Sequence, residues 1–159
     1  MYKFMTTATR SPEMATTQQL SILLVEDDEV DVMNVQRALK KNGVTPALYR
    51  AVNGIEALTM LRTNSQIAKQ NNHRLLILLD LNMPKMGGLE FLQELRADPT
   101  LCNLPVVVLT TSMQNSDLAA AYKYNVAGYI IKPITFSSFV ETIDVLNRYW
   151  SMSEMPLPS

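Results

Sequence analysis

Five polar residues stand directly at or behind the ends of short apolar runs in this 159-residue chain. Glu26 and Asp27 follow SILLV, Asp80 follows LLILL, Thr110 closes PVVVLT, and Lys132 follows AGYII. If those runs are neighbouring parallel strands, all five residues share the carboxyl edge of one sheet, where open α/β sheets bind their ligands. Three carboxylates in one crevice repel one another and take up protons unless a cation joins them. A donor set of oxygens, without cysteine or histidine, suits a hard ion and favours Mg2+ over Zn2+. A metal held there can neutralise an incoming phosphoryl group, with Lys132 and Thr110 contacting its other oxygens. One carboxylate can then act as the nucleophile and become an aspartyl phosphate. Asp80, central among the runs, is the candidate.

The elements that must hold these residues are legible in the same pattern. SILLV (21–25), LLILL (75–79) and PVVVLT (105–110) show no polar alternation, so both faces of each are expected to be buried. TPALYRAV (45–52) and AGYII (127–131) complete a set of five strands. Between them lie five amphipathic stretches: 28–41, a helix opening at Asn53-Gly54, 89–97, 116–124 and 135–150. The last carries Phe136, Phe139, Val140, Ile143 and Leu146 as a core stripe. Strands alternating with helices imply a parallel sheet covered on both sides, and right-handed crossovers favour a doubly wound (βα)5 domain.

Composition narrows the function classes. Charged residues make up 18% and the formal net charge is −1, so nothing draws the chain to nucleic acid or to an anionic membrane. No apolar run approaches the ~20 residues needed to span a bilayer. The single cysteine, Cys102, permits no internal disulfide and suits a reducing, cytoplasmic setting; it reads as an inert packed thiol. The lone His73 falls in a polar stretch and reads as solvated, not as a phosphodonor. Residues 1–20, rich in Thr, Ser and Gln, are expected to be a disordered leader, in which Met5 and Met14 also offer starts; 151–159 are expected to be a disordered tail.

The motifs VED (25–27), DLNMPKMGG (80–88), VVVLTTS (106–112) and AGYIIKP (127–133), in this order and with 30 residues from Asp80 to Thr110 and 52 to Lys132, resemble the receiver domain of two-component response regulators over residues 21 to about 150. The resemblance implies a flavodoxin-like fold with strand order 2-1-3-4-5, and Asp80 as phosphoacceptor. It implies Glu26, Asp27, Asp80 and the Asn82 carbonyl as Mg2+ ligands, Thr110 and Lys132 as groups that sense the phosphoryl, and Tyr129 as a rotating aromatic. The chain departs from the pattern in three places. Asp28 leaves the register of the acidic pair open by one residue, Thr111 is bulkier than the usual small residue, and Gly87 replaces a frequent acid.

The polar loop before strand 3, the TTS run and the closing Tyr149-Trp150 pair are similar to stand-alone receivers that work with phytochrome-like and hybrid kinases. That implies a partner histidine kinase or phosphotransfer protein, and output through protein contacts. A second row on the last helix, with Val145 and Tyr149 beside Trp150, joins Ala119, Ala121 and Tyr122 of the preceding helix as the expected face of a symmetric homodimer. Acidic residues 28, 29 and 31 read mainly as helix N-terminal charges that favour the dipole. Three rival readings fare worse. A haloacid-dehalogenase-type phosphatase needs a second aspartate where Asn82 stands. An FMN carrier would not place four consecutive acids at its phosphate loop. A phosphorylation-independent adaptor has no need to keep all five chemical positions. On this reading the chain is a phosphoacceptor and not a turnover enzyme.

Overall fold

The computed structural model describes residues 20–43, 46–63, 67 and 74–155. Five strands, β1 (Ser21–Val25), β2 (Ala47–Ala51), β3 (Leu75–Leu79), β4 (Val106–Thr110) and β5 (Gly128–Ile131), alternate with helices α1 (Glu29–Lys41), α2 (Gly54–Thr63), α3 (Gly88–Ala97), α4 (Asn115–Lys123) and α5 (Phe136–Met152). The strands form one parallel sheet in the order β2-β1-β3-β4-β5. This is the doubly wound order expected from the sequence.

Strand periodicity divides the apolar runs between two cores. Leu23, Val25, Ile77, Leu79, Val106 and Val108 face α2, α3 and α4, where they meet Leu58, Phe91, Leu92, Leu95 and Ala121. Ile22, Leu24, Leu76, Leu78, Val107 and Leu109 face α1 and α5, against Val32, Val35, Leu39, Phe139 and Ile143. Alternate side chains point to opposite faces, so a strand between two helical layers has no position to spare for polar residues. The absence of alternation in β1, β3 and β4 follows.

Local chemistry sets the helix boundaries. Asp28 caps α1, its carboxylate accepting from the Val30 and Asp31 amides, and Asn53 Oδ1 accepts from Glu56 N–H at the start of α2. Thr135 caps α5 through Ser138 N–H.

Four details differ from the sequence reading. Helix α5 runs past Trp150 to Met152, and Met155 is buried in the α1/α5 core. The Arg74 guanidinium ties this end down, donating to the carbonyls of Trp150, Ser151 and Ser153 at 2.6, 3.0 and 2.6 Å. The stretch from 151 to 155 is therefore docked, because an apolar residue and three backbone acceptors find partners at the sheet's amino edge. Phe136, expected in the core stripe, is exposed in the first turn of α5; the buried stripe is Phe139, Val140, Ile143 and Asn147. Ala121 is buried and so leaves the expected dimer face. Residues 1–19, His73 and 156–159 lie outside the described residues.

Candidate functional site

The sheet's hydrogen bonding brings the strand ends to one edge. Val25 pairs with both Ala51 and Leu79, the Asp80 amide donates to Val25 O (3.0 Å), and the Lys132 amide donates to Thr110 O (2.8 Å). Glu26, Asp80, Thr110 and Lys132 are thereby set side by side, one residue at or just beyond the end of each of β1, β3, β4 and β5.

Three of the carboxylates meet as expected. Glu26, Asp27 and Asp80 each offer an oxygen within 4.8 Å of the others; Glu26 and Asp80 are buried and Asp27 is open to solvent. Asp28 is instead engaged as the α1 cap, and the carboxylates grouped at the edge are those of 26, 27 and 80. Buried negative charge packed this closely needs a cation, and an all-oxygen set with one exposed member suits a hard divalent ion that keeps waters. Asn82, exposed in the loop, donates its amide to Asp80 Oδ1 over a long 3.5 Å.

Lys132 supplies the fixed cation. Its ammonium, almost fully buried, lies 2.7 Å from Glu26 Oε2, 2.6 Å from Asp31 Oδ2 and 3.6 Å from Asp80 Oδ2. Burial would lower its pKa, but the bonds from Asp31 and Glu26 outweigh burial and hold it above the ordinary lysine value. The Glu26 carboxyl is pushed up to about 7, chiefly by burial; its Lys132 bond opposes that shift and the Asp80 charge adds to it.

On the β4 side, Thr110 is fully buried and its Oγ1 accepts from Ser112 N–H at 3.3 Å. Ser112 Oγ donates to Asp117 Oδ2, and its carbonyl accepts from the Tyr129 hydroxyl at 2.9 Å. Tyr129 thus lies half-buried, its ring against the α2/α3/α4 core and its hydroxyl under the loop that leaves Thr110. Thr111 is exposed beside it.

Two participants were missed from the sequence. Asp31, read as a helix decoration, bonds Lys132. Arg50 of β2 straps the acidic loop, donating to Glu26 O, Asp27 O and Glu29 Oε1 at 3.2, 3.2 and 2.5 Å. Only the alignment of β2 with β1, Leu24 opposite Arg50, reveals that reach.

The expected output face is mixed in character. Val145 and Tyr149 are more than half exposed, and Tyr122 is half exposed. Trp150 is half-buried, packed on the α1/α5 core with its ring edge-on to Tyr149.

A parallel 2-1-3-4-5 sheet with an acidic cluster and a buried lysine at its carboxyl edge defines a phosphoryl-transfer receiver. The chain belongs to the response regulator receiver domain family, which matches residues 22–144. It is therefore a signalling protein of the phosphorelay type. It is 35% identical over 138 residues to the response regulator Rcp1 of Synechocystis, covering 87% of this chain and 92% of that one. The phosphorylated cyanobacterial phytochrome response regulator RcpA superposes with a TM-score of 0.77 at 36% identity, over 87% of this chain and 99% of that one. The Mn2+-bound form of Rcp1 gives a TM-score of 0.73 at 34% identity, over 88% and 99%. No helix among the described residues is long and apolar enough to cross a membrane.

Proposed function

We propose that this response regulator accepts a phosphoryl group on Asp80 from a phosphohistidine of a histidine kinase or phosphotransfer protein. The observation that carries this reading is the convergence of Glu26, Asp27 and Asp80 within 4.8 Å, with the Lys132 ammonium 3.6 Å from Asp80. One Asp80 oxygen attacks phosphorus, the P–N bond breaks, and the leaving imidazole keeps the bonding electrons and takes a proton from solvent. Lys132 neutralises one equatorial oxygen, and the Thr110 hydroxyl, at the end of β4, is the donor for another. Glu26, Asp27, Asp80 and the Asn82 carbonyl would hold Mg2+, which would offset charge on the transferred group; the existence of a Mn2+-bound form of Rcp1 supports a divalent ion. Asn82 offers no acid where a haloacid-dehalogenase-type phosphatase needs its second aspartate to protonate a leaving group. The chain's role is acceptance and release of one phosphoryl, not turnover of phosphate esters.

Likeness to Rcp1 and RcpA supports a phytochrome-like or hybrid kinase as the donor. A cytoplasmic setting follows from that chemistry. Tyr129, hydrogen-bonded beneath the Ser112 carbonyl, would couple Thr110 to the α4–β5–α5 surface, where Val145 and Tyr149, rimmed by Trp150, form a homodimer face.

The experiment is labelling with acetyl phosphate or phosphoramidate in the presence of Mg2+. Wild type should be labelled, EDTA should suppress labelling, and Asp80→Asn should abolish it. Label retained by Asp80→Asn would refute the assignment.

A further inference from the structure

An acid at the third position of a helix ordinarily reaches back to the N-cap amide and closes a capping box. In α1 that amide is already taken, because Asp28 N–H donates to Glu26 Oε1 at 3.1 Å. The Asp31 carboxylate, at the third position, turns instead to Lys132 and stands 2.6 Å from its ammonium. It remains one-quarter exposed, outside the group of three carboxylates that can share a metal ion.

An ammonium has three N–H donors arranged as a tripod. Two short bonds, to Glu26 at 2.7 Å and Asp31 at 2.6 Å, use two of them. The third donor is left for the side on which Asp80 lies, 3.6 Å away, too long for a good hydrogen bond and close enough for an oxygen carried on Asp80 to meet it. Without Asp31, one anchor remains, and a flexible four-carbon stem regains its rotamers.

We propose that Asp31 is a positioning residue for phosphoryl recognition: together with Glu26 it fixes the Lys132 ammonium so that its free N–H points to the group bound at Asp80. This rests on Asp80 being the phosphoacceptor. Asp31 touches no reacting atom and acts only through Lys132. Its placement also explains why an isolated lysine can be held charged in a buried position while remaining 3.6 Å short of the nucleophile.

The test uses beryllofluoride with Mg2+ as the phosphoryl mimic on full-length protein, read by calorimetric affinity and by 19F resonances. The fluorine that meets Lys132 should have its own resonance. Asp31→Ala should bind the mimic about threefold to tenfold more weakly, a cost in line with loss of one orienting contact, and should move or broaden that resonance. Asp31→Asn, which keeps the shape and an acceptor without the charge, should shift both readouts in the same direction by less, and serves if the alanine variant folds poorly. Unchanged or tighter binding in both variants would overturn the proposal, as would weaker binding with a wild-type 19F spectrum. Failure of wild type to bind the mimic at all would instead overturn the reading of Asp80.

Discussion

Gly88 lies against the main chain of Asp80: a Cβ added at Gly88 would come within 2.5 Å of the Asp80 carbonyl oxygen and 2.7 Å of Leu81 Cα. Both are backbone atoms, so neither can swing aside. The glycine lets the first turn of α3 press on the loop that carries Asp80, with its amide donating to Leu81 O at 3.0 Å. Gly88→Ala should therefore cost about 1–3 kcal/mol of stability by overpacking and slow labelling by acetyl phosphate beyond what the lost stability explains. Denaturant melts and labelling rates measured together check this; unchanged values in both would show that the loop yields freely.

Glu26 makes the metal-free protein pH-sensitive. Its carboxyl ionises near 4.5 in the unfolded chain and at about 7 in the folded one, mainly because it is buried. Between those values the folded state binds the extra proton, so stability from this group is fully present below 4.5, falls as pH rises, and is lost above 7. In EDTA, Glu26→Gln should flatten the slope of stability between pH 5 and 8, and at pH 8 should be more stable than wild type by roughly 1–3 kcal/mol. Mg2+ should narrow that difference by stabilising wild type alone. Parallel pH profiles for the two proteins in EDTA would contradict the burial argument.

Exposed apolar residues on the two helices that precede and follow an edge strand mark a contact face more often than scattered ones do. Val145, Tyr149 and Tyr122 are such a set, each at least half exposed. A symmetric dimer through them should weaken about tenfold or more with Tyr149→Ala or Val145→Asp, since central aromatic anchors carry most of an interface's energy. Sedimentation equilibrium with and without beryllofluoride reads this directly. A wild type that stays monomeric at high micromolar concentration under both conditions would exclude the face.

Most of the fold was legible because its determinants are local. Short apolar runs without alternation, bounded by turn residues and separated by amphipathic stretches, fit strands sandwiched between helices, and the polar residues ending them must share an edge once the strands are parallel. The gathering of Glu26, Asp27, Asp80, Thr110 and Lys132 at one edge followed from that, with Asp28 left open beside the acidic pair. Asp31 was not legible, because an acid in a first helical turn has a sufficient local explanation in the dipole, and only the occupied Asp28 amide and the approach of Lys132 redirect it. Arg50 depends on strand pairing, and Met155 on a docking site built by Arg74, 81 residues earlier in the chain, so neither leaves a periodic trace. Phe136 fits the helical period of its neighbours, yet the period cannot say where the sheet stops beneath the helix.

Helix α5 starts beside Lys132, at the edge that carries Asp80, and its end is pinned by Arg74, whose own carbonyl accepts from the first residue of β1 at 2.7 Å. Seventeen residues of helix make a rod about 25 Å long, running the depth of the sheet from one rim to the other. A group joined to the chain at Met155 would thus begin on the far side of the molecule from Asp80. A reporter or affinity handle fused there leaves the rim that carries Glu26, Asp80 and Lys132 unobstructed, whereas the same handle inserted at the fully exposed Ile134 would sit beside Lys132 at that rim.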